Sequence, residues 1–136
     1  MAAMSARAPA RPPVHLIDRE CDMLIDLALR IEGHSPGVAT MLLGEIERAE
    51  IHSTSTLPAG TVTLGARVDF LDESSGRRRS VTLVMPGEAD IEAGRVSVLT
   101  PVGAGLIGLR EGQAIDWPDR DGMSRRLRIL AVWPPE

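Results

Sequence analysis

Lysine and tyrosine are absent from the 136 residues, cysteine occurs once, and aromatic rings are limited to Phe70, Trp117 and Trp133. Each shortage narrows the field. All 15 basic residues are arginine, so Schiff-base chemistry and a Walker-type phosphate lysine are excluded. Three aromatics do not furnish a base-stacking platform, and a formal charge of −4 repels a phosphate backbone, so no strong direct nucleic-acid binding is expected. Cys21 stands alone, which rules out an internal disulfide and a cysteine metal cluster and suits a reducing compartment; burial as a small hydrophobe on a helix is expected. No apolar run approaches the ~18 residues of a membrane-spanning helix. His15, His34 and His52 are far apart, each in or beside an expected turn and without a recognisable ligand spacing, which predicts solvated loop histidines rather than a metal site.

With 43% hydrophobic and 25% charged residues, the chain reads as globular with an aliphatic core. Residues 1–13 are rich in Ala, Arg and Pro and lack an apolar signal core, so a disordered arm is expected. Residues 14–52 read as a helical hairpin. Asp18 is placed to cap a first helix, on which Leu24, Leu27, Ala28 and Ile31 share one face. Gly33 and Ser35-Pro36 break and restart the helix, with Ser35 as cap and Pro36 at the first helical position. Ala39, Leu42, Ile46 and Ala49 form the stripe of the second arm. Residues 53–60 are a polar linker, and a second domain is expected over 61–136.

Past the linker the period changes to two. Val62, Leu64, Ala66, Val68 and Phe70 alternate with polar or small residues, as do Val81, Leu83 and Met85 after a turn at Asp72–Gly76. Arg77, Arg78 and Arg79 read as a solvated hairpin end. A short strand with Val96 and Val98 precedes a helix opened by Thr100-Pro101 and ending before Gly112. Two further strands follow, 114–117 and the run of Leu127, Ile129, Ala131 and Trp133, with a turn at 118–122. Gly103, Gly105 and Gly108 spell G-x-G-x-x-G, but the next strand starts too soon for a right-handed crossover, so the glycines are expected to serve packing, not a dinucleotide. The fold class is α+β: a short antiparallel helical hairpin of coiled-coil type, then one antiparallel sheet curled around one helix.

The runs TLGARVDFLDESSG, RSVTLVMPGEADIEAGRVSVLTPVGAGLIGLREGQAIDW and RRLRILAV resemble the C-terminal domain of the bacterial Gre transcript-cleavage factors, and more closely the Rnk family, named as regulators of nucleoside diphosphate kinase. That resemblance implies an FKBP-like second domain, a cytoplasmic location and RNA polymerase as partner, docked at the secondary channel through the loop Leu99, Thr100, Pro101 and Val102. Leu99 stands where Gre factors have an aspartate. The hairpin tip corresponds to the Gre prong, whose neighbouring acids help hold a catalytic metal ion; here it carries Glu32 and His34, with Glu32 as its only acid. The implied function is polymerase binding without stimulation of transcript cleavage, in competition with cleavage factors. No catalytic, cofactor-binding or metal-ligating residue is expected. The alternatives are a module acting directly on nucleoside diphosphate kinase or another protein, and a peptidyl-prolyl isomerase, whose aromatic cage three rings poorly supply.

Overall fold

The structure is a computed structural model and describes residues 13–118 and 124–135. Almost all of the expected N-terminal arm, and the expected turn between the last two strands beyond Pro118, lie outside the described residues.

The chain begins with a strand, β1 (Val14–Ile17), that runs straight into helix α1 (Asp18–Ile31). This corrects the cap assignment. The residue at the cap position is Ile17, with extended backbone and no side-chain cap bond, while Asp18 is already the first helical residue, its Oδ1 accepting from the adjacent Arg19 amide at 2.6 Å. With Glu20 it supplies negative charge to the first turn, where the helix dipole favours it. A turn at 32–35 leads to α2 (Pro36–Glu47), with Pro36 at the first helical position as expected, although the Ser35 side chain makes no cap bond. A second strand, β2 (Ala49–His52), then pairs in parallel with β1, so the two helices are enclosed between the strands of a small ribbon. Neither strand was anticipated. Each is four residues long, too short for a period of two to stand out, and their partnership spans the whole hairpin.

The remaining strands are β3 (Arg67–Asp72), β4 (Arg77–Val84), β5 (Arg95–Ser97), β6 (Ala114–Pro118) and β7 (Ser124–Trp133), in the order β5-β4-β3-β7-β6. Three of the neighbouring pairs are antiparallel and β4–β5 is parallel. The expectation of a purely antiparallel sheet is thus corrected at one edge, where two 3₁₀ turns at 86–88 and 91–93 bring the chain back to run alongside β4. The alternation holds in burial from Ala66 to Phe70, where Ala66, Val68 and Phe70 are buried, but not before it: Thr61, Val62 and Thr63 are all buried and Leu64 is only half-buried. That earlier part does not join the β3 ladder either. The Val62 amide donates to the Leu109 carbonyl and the Gly108 amide donates to that of Val62, so this segment is held by the chain leaving the central helix.

That helix, α3 (Pro101–Leu106), is shorter than the sequence suggests. The apolar run continues through Ile107 and Leu109, both buried, but Gly108 has φ +82° and turns the chain out of the helix. On β7, Leu127 and Ile129 point inward as expected, yet the inward residue after them is Val132, and Trp133 is 44% exposed. The cause is a β-bulge: Phe70 faces Ile129 while its neighbour Asp69 faces Ala131. Leu130 is the extra residue, and it reverses the alternation beyond it. Trp133, expected in the core, lies instead beneath the Arg67 guanidinium, 4.8 Å from the ring centre.

One largely aliphatic cluster, with Phe70 as its aromatic member, runs through hairpin, central helix and sheet, joining Leu24, Ala28 and Leu42 to Leu106, Phe70 and Leu83. Full burial of a side chain of this size contributes ~1.5–3 kcal/mol, so the hairpin is fixed to the sheet by packing.

Candidate functional site

The loop into α3 is built from the end of β5. Ser97, nearly buried, organises it: its hydroxyl accepts from the Leu99 amide at 3.0 Å, and its carbonyl accepts from the Thr100 amide at 3.1 Å and the Thr100 hydroxyl at 2.8 Å. Thr100 is the cap of α3, its Oγ1 accepting from the Gly103 amide at 3.0 Å, and Pro101 follows at the first helical position. Gly103 lies directly on this turn. A Cβ there would run into the Ser97 carbonyl oxygen and come within 2.9 Å of the Val98 Cα.

The consequence is a rigid, shaped corner. Leu99 and Val102 are half-buried and pack against the core, Thr100 is occupied by its capping bonds, and Pro101 points outward. Of the four residues expected to meet a partner, Pro101 is therefore the outermost and the other three hold the corner in shape. Sequence reasoning missed Ser97. A serine at the end of a three-residue strand carries no signal, although its spacing to Thr100 fits a side-chain-stabilised turn.

Gly108, two residues past the end of α3, performs a similar service. A Cβ there would run into Val14 and lie 3.1 Å from the His15 carbonyl oxygen, and the His15 amide donates to the Gly108 carbonyl at 2.9 Å. Two glycines of the G-x-G-x-x-G run thus admit close neighbours, the chain leaving β5 at Gly103 inside α3 and β1 at Gly108 just after it.

At the hairpin tip, Glu32 and His34 are exposed within the 32–35 turn, which is closed by the His34 and Ser35 amides donating to the Ile31 carbonyl. Among the described residues no hydrogen bond or ion pair joins Glu32 or His34 to the 99–102 loop. Both nevertheless belong to one packed body, because α2 lies against α3. A further tie is polar: Glu20 of α1 is buried and its Oε1 accepts from the Leu64 amide at 3.2 Å. Burial pushes the Glu20 carboxyl above the usual range, against the opposing pull of the Leu64 N–H and Arg19.

A second group of functional side chains lies on the β1–β2 ribbon. His15 and His52, expected as separate loop residues, are strand neighbours with Nδ1 and Nε2 3.0 Å apart, and Glu50 approaches His52. They are the described His, Cys, Asp and Glu side chains that come close enough together to hold a metal ion. The arginines of β7, by contrast, face acids: Arg126 binds Asp116 through two bonds of 2.7 and 2.8 Å, and Arg128 binds Glu73 at 2.7 Å.

Comparison with known proteins places this geometry among transcription factors. Residues 57–134 match the family described as "Transcription elongation factor, GreA/GreB, C-term". The chain is 33% identical to the "Regulator of nucleoside diphosphate kinase" of Escherichia coli K12, over 93% of this chain and 94% of the relative. It is 41% identical to the transcription elongation factor GreA of Acidiphilium cryptum, over 64% of this chain and 55% of that protein, so it corresponds to about half of the GreA factor. Among solved structures, a prokaryotic transcription elongation factor GreA/GreB from Nitrosomonas europaea superimposes with a TM-score of 0.70 at 32% identity, covering 91% of this chain and 100% of that one.

Proposed function

The chain belongs to the family that unites the GreA/GreB C-terminal domain with the regulator of nucleoside diphosphate kinase, and on that premise we propose that it is a transcription regulator that binds RNA polymerase at the secondary channel through the Leu99–Val102 corner, without stimulating transcript cleavage. It acts in the cytoplasm as a binding factor, not a catalyst, and competes with cleavage factors for the same entrance.

The observation that carries this reading is the hairpin. A cleavage-stimulating prong needs acidic oxygen ligands for a divalent ion, delivered at a distance from the docking surface. Here the tip turn offers Glu32 alone. The arms of 14 and 12 residues rise only roughly 21 and 18 Å. Much of that length is also committed to the core, since Ala28, only four residues before Glu32, is fully buried. About one helical turn therefore projects past the last core residue of α1. The two aromatic side chains that the structure describes do not form an isomerase cage either: Phe70 is sealed in the core and Trp133 is engaged by Arg67.

The test is binding to core polymerase, followed by a cleavage assay on backtracked complexes. The wild-type protein should bind, leave the RNA uncut and slow cleavage by an added Gre factor, whereas Pro101→Asp should bind poorly. Shortening of the RNA by this protein alone would overturn the reading. The name of the 33% identical relative favours a second reading, in which nucleoside diphosphate kinase is bound directly; capture of the purified kinase, with no retention of polymerase, would put it ahead.

A further inference from the structure

We propose that His15, Glu50 and His52 form a binding site for a borderline divalent transition-metal ion, with Zn²⁺ as the representative ligand, which clips β1 to β2 across the base of the helical hairpin.

The ribbon's register makes the site. In the parallel pair His15 stands opposite Glu50 and Ile17 opposite His52. Side chains alternate faces along a strand, so His15, Glu50 and His52 all project to one side. Their ligating atoms lie within 4.8 Å of one another. His15 Nδ1 and His52 Nε2 are 3.0 Å apart, and Glu50 Oε1 is 3.6 Å from the same Nε2. Ligands at ~2.0–2.1 Å around a tetrahedral ion are about 3.3–3.4 Å apart. Two of the three separations bracket that value and the third is within 4.8 Å, so side-chain adjustment, mainly of the exposed Glu50, would admit the ion, with water completing the shell.

The alternative use of the two rings is a plain imidazole–imidazole hydrogen bond. That bond accounts for the 3.0 Å contact but gives no role to Glu50, whose side chain is 69% exposed yet directed at His52. The donor set also selects the class of ion. Two imidazoles and one carboxylate suit Zn²⁺, Co²⁺, Ni²⁺ or Cu²⁺, whereas Mg²⁺ and Ca²⁺ require oxygen ligands. The support is rigid where it matters: Val14 and Leu16 on either side of His15 are buried, and the His15 backbone is bonded to Gly108. The exposed Glu50 leaves the site open to solvent.

The experiment titrates Zn²⁺ into chelator-stripped full-length protein, by calorimetry and by thermal unfolding. One equivalent should bind and saturating Zn²⁺ should raise the midpoint by about 5 °C or more. Mg²⁺ should do neither, and Co²⁺ should give the visible absorption of a four-coordinate ion. His52→Gln should abolish the response, and Glu50→Gln should weaken Zn²⁺ binding by at least about tenfold. Glu50 is at the surface, so its variant remains informative even if the histidine variants fail to fold. Absence of saturable one-equivalent binding, or unchanged Zn²⁺ affinity in Glu50→Gln, overturns the site.

Discussion

Replacing Glu20 tests how the hairpin is tied to the sheet. Its carboxylate sits in the first turn of α1 and reaches 44 residues along the chain to accept the Leu64 amide at 3.2 Å. Burial raises its pKa above that of the unfolded chain, so the protonated form is the one folding favours. The associated stabilisation is therefore fully present below the unfolded value and is lost as pH rises through the folded one. Glu20→Gln keeps an oxygen acceptor for Leu64 and cannot ionise. Wild type should gain stability relative to Glu20→Gln as pH falls through the raised pKa toward the ordinary glutamate range, and above the raised pKa the glutamine variant should be equal or more stable. Glu20→Ala instead strands a partly buried N–H, a cost of about 1–2 kcal/mol, or a midpoint lowered by ~3–8 °C for a domain of this size. Urea unfolding followed by circular dichroism, at several pH values for the three proteins, reads both effects, and the wild-type-minus-glutamine difference cancels the other carboxylates. A difference that does not vary with pH, or one in which wild type gains on glutamine as pH rises, would refute the reasoning.

Three more substitutions probe the corner and the bulge. Gly108→Ala combines a left-handed backbone with a collision against Val14; it should cost about 2–5 kcal/mol, measured by denaturant unfolding. Thr100→Ala removes the α3 cap and its bond to the Ser97 carbonyl; a loss of ~1 kcal/mol is expected, with weaker polymerase retention if the corner is the docking surface. Trp133→Ala removes an exposed cation–π contact with Arg67 worth about 0.5–1 kcal/mol and the covered part of a ring that is 44% exposed, so its total cost in denaturant unfolding should stay below the ~3–5 kcal/mol of a sealed core aromatic; a loss in that core range would mean that the bulge does not turn Trp133 outward.

Much of this architecture was legible wherever a local signal coincided with its tertiary use. The Asp72–Gly76 turn, the inward Val81 and Leu83, and the Thr100-Pro101 opening of α3 all follow from short-range chemistry that the fold respects. What stayed hidden depends on distant partners. A bulge at Leu130 is defined by the residue opposite it on β3, so the β7 sequence alone continues its alternation to the wrong tryptophan face. The end of α3 at Leu106 is set by the fit of Gly108 against β1, while the local apolar pattern runs on. The histidine pair was invisible for the same reason: 37 positions separate His15 and His52, and only the parallel ribbon makes them neighbours. At the entry to α3, the resemblance pointed to Leu99–Val102 as the residues to look at, but the bonds that shape this corner come from Ser97.

The attachments of the hairpin bear directly on how the two ends of the molecule can act together. Leu24, Ala28 and Leu42 place both helices in the cluster that also contains the α3 and sheet residues. Glu20 bonds to Leu64 just before β3, and the β1 backbone bonds to Gly108 just after α3. These ties are made at separate points of the chain, so the hairpin cannot rotate about any one of them without breaking the others and the core packing. The α3 whose N-terminus forms the Pro101 corner is also the helix against which α2 lies. A partner that grips the corner therefore fixes the direction of the tip as well, without any hinge between them. In the polymerase complex we propose, the place reached by Glu32 is then set by docking geometry alone, and lengthening the hairpin by whole turns at its tip should extend that reach while leaving polymerase affinity, measured by retention on the core enzyme, unchanged.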